Sequence, residues 1–86
     1  MDRILFELSA TAAVGADELQ WIVYRRAGRG WNGVSFVRST KAILERCIRQ
    51  KGVDVTPEGR AKLDALPASF DLWKAARATA AGASDA

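Results

Sequence analysis

Leu19-Gln-Trp-Ile-Val-Tyr-Arg-Arg-Ala-Gly-Arg-Gly-Trp-Asn-Gly-Val-Ser-Phe-Val-Arg38 decides the fold. Leu19–Arg26 is rich in aromatic and β-branched side chains, which suit a pleated, half-buried strand. Val34–Arg38 reads as a second strand. Between them, Ala27–Gly33 holds three glycines, so turn conformations with positive φ carry little steric cost. The stretch predicts an antiparallel hairpin. With an even register, Leu19, Trp21 and Val23 share a face with Val34 and Phe36. Ile22, Tyr24 and Val37 then show on the opposite face.

Upstream, Ile4, Phe6 and Leu8 fall on one parity, which fits a strand; Ile4, Leu5 and Leu8 also fit a helical period. Residues 9–16 are small, and Gly15-Ala16-Asp17 reads as a turn. Downstream, Ser39 or Thr40 can cap a helix whose apolar stripe is Ile43, Leu44, Cys47 and Ile48. Gly52 follows as its terminator, and Arg49 and Lys51 suit the negative end of the dipole. Thr56-Pro57-Glu58 starts a second helix to about Leu66, with Ala61, Leu63 and Leu66 as packing residues; Pro67 ends it. Ser69 can cap a last helix in which Phe70 and Trp73 lie one turn apart.

The expected architecture is a single α+β domain over residues 1–86. It has a small antiparallel sheet of two or three strands, one long helix packed on it and one or two short C-terminal helices. A tail frays from about residue 76. Either Phe70 and Trp73 cover the second sheet face or that face stays open as an apolar patch of the kind that marks a protein contact.

Charge is uneven along the 86 residues. The net charge is +3, yet residues 25–51 carry Arg25, Arg26, Arg29, Arg38, Lys41, Arg46, Arg49 and Lys51 against Glu45 alone. The flanking segments are acidic. Such an asymmetry suggests a surface for something negative. Lys41, Glu45 and Arg49 lie four apart on the expected helix, an ordinary charge ladder that neutralises part of the field. The concentration that remains is Arg25, Arg26 and Arg29 around the glycine loop that holds Trp31, with Arg38 at the far end of the second strand.

Several functions are disfavoured. The chain has no histidine and one cysteine, which removes the usual general base, the usual zinc ligand and any internal disulfide. Cys47 sits in the apolar stripe, where it reads as a small core residue. No metal or cofactor is expected, nor an enzyme. Gly28-Arg-Gly-Trp-Asn-Gly33 matches G-x-G-x-x-G, but the dinucleotide fingerprint must open a helix and this stretch opens a strand. The single thiol fits a reducing cytoplasm. The N-terminus lacks the apolar run of a secretion signal.

Trp21-Ile-Val-Tyr-Arg-Arg26, Trp31 with Val34-Ser-Phe36, and Ser39-Thr-Lys-Ala-Ile-Leu-Glu-Arg46 together resemble small phage and prophage accessory proteins with a short sheet before one amphipathic helix. Leu63-Asp-Ala-Leu-Pro-Ala-Ser-Phe70 fits the same pattern, so the resemblance spans about residues 14–73. It implies a non-enzymatic, stoichiometric binder of a mobile element, such as an anti-CRISPR-like inhibitor of a bacterial protein or ribonucleoprotein complex. The expected contact is a basic hairpin tip of Arg25, Arg26, Arg29 and Trp31, with Arg38. Two alternatives stand beside it: a salt-sensitive nucleic-acid binder using the same residues, and a self-associating protein using Ile22, Tyr24 and Val37.

Overall fold

The hairpin turns more tightly than its glycine content suggests. β3 (Trp21–Ala27) and β4 (Gly30–Val37) pair antiparallel, with only Gly28 and Arg29 between them. Gly28 has φ +58, as the first central position of a type II′ turn demands. The computed structural model describes the backbone of residues 4–85 and side chains as far as residue 77.

A bulge then changes the register. Tyr24 pairs with Gly33, but Val23 pairs with Ser35, so Val34 is an extra residue on β4. One inserted residue moves every later side chain to the other face. Trp21 therefore pairs with Val37 and Ile22 with Phe36. The expected grouping of Phe36 with Trp21, and of Val37 with Ile22, is corrected: Val37 is buried in the core and Phe36 points outward.

The sheet has four strands, not two or three. β1 (Ile4–Ser9) and β2 (Ala12–Ala16) precede the hairpin, and the order is β1-β2-β3-β4. Residues 12–16 are thus a strand rather than part of a small-residue turn. All five are buried, so the segment lacks the alternation of a half-buried strand. The turn lies one step later. Asp17 Oδ1 accepts from the backbone N–H of Leu19 and Gln20 at 2.8 and 3.0 Å, a local side-chain turn that Asp readily makes. Leu19 consequently belongs to the turn and is exposed.

Three helices follow, and no single long helix spans the sheet. α1 (Lys41–Gln50) contacts β3 and β4, α2 (Pro57–Asp64) contacts β1, and α3 (Phe70–Asp85) is the longest. Fraying from about residue 76 was expected in a stretch whose side chains, from residue 78, lie outside the described residues. Each helix start is capped by the residue type its sequence suggests. Thr40 Oγ1 accepts from Ile43 N, Thr56 Oγ1 from Gly59 N and Ser69 Oγ from Leu72 N. Gly52, at φ +64, ends α1.

The core lies between one sheet face and the helices. Leu8, Val14, Trp21, Val23 and Val37 from the strands meet Leu44, Ile48, Leu63 and Phe70. Trp21 is the centre. Its ring meets Phe70 edge-on at 5.7 Å and Trp73 at 6.4 Å, the geometry that aromatic quadrupoles favour. Phe70 and Trp73 therefore pack on the helical side of the sheet. α2 is seated by closeness: a Cβ on Gly59 would lie 2.7 Å from Leu8 Cα. Thr56 adds two hydrogen bonds to the same strand, N and Oγ1 both donating to Leu8 O.

Candidate functional site

The opposite sheet face carries no helix among the described residues. Alternation along β3 sends Ile22, Tyr24 and Arg26 to this side, and cross-strand pairing places Phe36, Gly33 and Trp31 beside them. β2 contributes only Ala13 and Gly15 here, paired with Tyr24 and Ile22. The centre of the face is therefore low. Phe36 uses that space: a Cβ on Gly33 would lie 3.2 Å from Phe36 Cζ and 3.3 Å from Ile22 Cγ2. The ring thus reaches across the glycine and is still 59% exposed.

At the turn end of the face, Arg26 and Trp31 form a cross-strand pair. The Arg26 guanidinium sits over the indole, 4.4 Å from the ring centre, and its Nε donates to Ala10 O at 3.1 Å. A cation on an indole face is favoured by the ring quadrupole. The ring is half-buried. Arg29 occupies the turn itself and Arg38 follows the last residue of β4. Both are exposed and have no side-chain partner among the described residues.

These placements separate the expected binding residues. Arg26, Arg29 and Trp31 gather at the turn, and Arg38 marks the other end of β4. Arg25 leaves the group. It pairs with Ala12 and Asn32 on the helical side, and its Nη2 donates to the Lys51 carbonyl at the end of α1. That arginine satisfies a helix-terminal carbonyl. Ile22 and Tyr24 do lie on the outer face, but Ile22 is buried there and Val37 lies in the core, so the expected Ile22–Tyr24–Val37 contact patch is corrected: the exposed ring of this face is Phe36. Gly33 was the available signal, since an isolated glycine inside a strand pattern marks a bulge.

The hairpin tip is also not a projecting element. Ala12 pairs with Arg25, and Arg26 N donates to Thr11 O at 2.9 Å. Only Ala27, the two turn residues and Gly30 extend past the neighbouring strands. Comparison with known families, with curated proteins and with solved structures finds no match. The geometry of this face therefore carries the functional reading.

Much of the remaining basic charge has structural work. Lys41 Nζ donates to Asp64 O and Leu66 O, both at 3.0 Å, at the end of α2. Lys74 Nζ donates to Glu18 O. Glu45 pairs with Arg60 at 2.6 Å rather than completing a ladder with Lys41 and Arg49, and Arg60 also meets Asp64 at 2.8 Å. The two carboxylates raise the Arg60 pKa further. Two open grooves flank the domain. One, of about 520 Å³, holds Glu7, Glu58 and Lys62 between β1 and α2; the other, of about 550 Å³, holds Asp17, Glu18, Lys74 and Arg77 beside α3. Each mixes charges of both signs, so neither offers a field of one sign. Among the described residues, no helix is long and apolar enough to cross a membrane.

Proposed function

We propose that the chain is a non-enzymatic nucleic-acid-binding protein of the bacterial cytoplasm, and that the outer sheet face is its binding surface. The supporting observation is the company kept by the two arginines that have no side-chain partner among the described residues. Arg29 and Arg38 stand at the two ends of a face that carries Trp31 stacked under Arg26 and the exposed ring of Phe36. Phosphate contacts by such cations supply affinity without sequence information. The absence of histidine from the sequence supports binding rather than catalysis. The resemblance to phage accessory proteins supplies a setting. A small basic protein that occupies the nucleic acid of a bacterial ribonucleoprotein complex would inhibit it stoichiometrically.

Fluorescence anisotropy of labelled oligonucleotides against salt tests this reading. Three phosphate contacts, by Arg26, Arg29 and Arg38, should lower affinity roughly twenty- to fortyfold between ~50 and ~200 mM salt. Arg29→Ala and Arg38→Ala should each flatten the log–log salt slope by about 0.7 for a single strand. Absence of binding at ~50 mM salt, where basic contacts are strongest, overturns the reading.

A further inference from the structure

We infer that the outer face selects single-stranded nucleic acid, holding unstacked bases on Phe36 and Trp31 while Arg26, Arg29 and Arg38 follow the phosphates. This rests on the nucleic-acid reading above and specifies its ligand. Three observations lead to it.

The first is the shape of the face. Four strands about 4.8 Å apart make a surface ~14 Å across before side chains are added. The major groove is about 12 Å wide and admits a helix or a two-stranded ribbon. Here the hairpin is hydrogen-bonded to Thr11 up to Arg26 and only Ala27–Gly30 pass the neighbouring strand, too short a ribbon to enter. Rings on such a surface reach bases only if the bases leave the helix stack.

The second is the attitude of the rings. Phe36 extends over Gly33 beside Ile22 instead of standing away from the sheet. Its exposed side is therefore a platform, and base–aromatic stacking needs only a π-face on each partner. Trp31 with the Arg26 guanidinium provides the second platform. Gly33, over which the Phe36 ring lies, pairs with Tyr24, two residues from Arg26 on β3, or about 7 Å along the strand. That is about two duplex steps of 3.4 Å, so the two platforms take different nucleotides.

The third is charge. Arg29 lies beyond the Trp31 end and Arg38 beyond the Phe36 end. A chain laid from one platform to the other meets a cation at each exit. Glu7, paired with Ala13 at the β1 side, is an acidic residue on this face. It biases the path towards β3 and β4, where the rings are.

The test compares probes that share charge and differ in bases. A labelled thymidine oligonucleotide of about 12 nucleotides, within the range of site sizes for sheet-based binders, is set against an abasic strand of the same length and against the matching duplex. At equal salt, the thymidine strand should bind at least tenfold more tightly than either. Trp31→Leu and Phe36→Leu, which keep apolar bulk but remove the π-face, should each weaken thymidine-strand binding about tenfold and leave abasic-strand binding unchanged. Retained circular dichroism and urea midpoint show that the variants fold. Equal, salt-sensitive binding of all three probes overturns single-strand selection while leaving nucleic-acid binding intact. Failure of every probe at ~50 mM salt overturns both, and directs attention to a protein partner on the same face.

Discussion

The two faces of this sheet carry the same kinds of residue to opposite ends. On the helical face Trp21 is completely buried, with Phe70 and Trp73 at its edges. On the outer face Phe36 is 59% exposed and rests on a glycine. The strands supplying them are the same pair, and Val37 and Phe36 are adjacent in sequence. The difference lies in what the rest of the chain does. Three capped helices cover one face; small residues in β2 and at Gly33 lower the other without covering it. Apolar area left exposed contributes nothing to folding. It lies between Arg29 and Arg38, which have no side-chain partner among the described residues, and the proposed binding role would use it.

The comparison breaks most readily at its two aromatic extremes. Trp21→Ala empties the core and should cost about 3–5 kcal/mol, a large part of the ~5–15 kcal/mol that holds a typical domain folded. Phe36→Ala, on the same β-ladder, should stay within about 1 kcal/mol. Urea unfolding of both variants checks the contrast. A Phe36→Ala loss comparable to that of Trp21→Ala would mean that the outer face is covered in solution.

Gly59→Ala probes the closeness of α2 to β1. The new methyl group meets the Leu8 backbone, which cannot swing aside as a flexible side chain would. Overpacking of this kind costs about 1–3 kcal/mol, although alanine is the better helix former. The expected result is a lower urea midpoint, with nucleic-acid affinity of the folded fraction unchanged because the outer face is not involved.

The parts legible in the sequence are those with local chemistry. Thr40, Thr56 with Pro57, and Ser69 announce helix starts because a cap bonds within three residues. The β3–β4 pairing was legible in its aromatic and β-branched content. β2 was not. Ala12-Ala-Val-Gly-Ala16 has neither alternation nor strand propensity; it is a strand because Trp21 and Val23 on one side, and Ile22 and Tyr24 on the other, need small neighbours. That requirement exists only in three dimensions. The register of β4 hung on one extra residue, Val34, which exchanged Phe36 for Val37 as the outward side chain. Arg25 falls outside the tip cluster for a related reason: sequence proximity to Arg26 hides the fact that neighbours on a strand point to opposite faces.

Arg25 and Arg26 therefore provide the finest test of the two-face comparison. Both are exposed arginines with identical formal charge, one residue apart, so composition and position along the chain cannot distinguish their roles. Arg25 donates to the last carbonyl region of α1, and its loss should cost about 0.5–1.5 kcal/mol of stability, the net worth of one such hydrogen bond. Arg26 has the Ala10 carbonyl and the Trp31 ring, where an exposed cation–π contact is worth about 0.5–1 kcal/mol; its stability effect should be similar and small. Binding should separate them. Arg26→Ala removes a cation from the outer face and disorders the Trp31 platform, so the salt slope for a single strand should flatten by about 0.7 and affinity should fall with it. Arg25→Ala acts behind the sheet and should leave the slope unchanged. Equal flattening in both variants would mean that the protein reads only the total charge of its hairpin, and the division of labour between the two faces would fail at the point where the sequence itself draws no distinction.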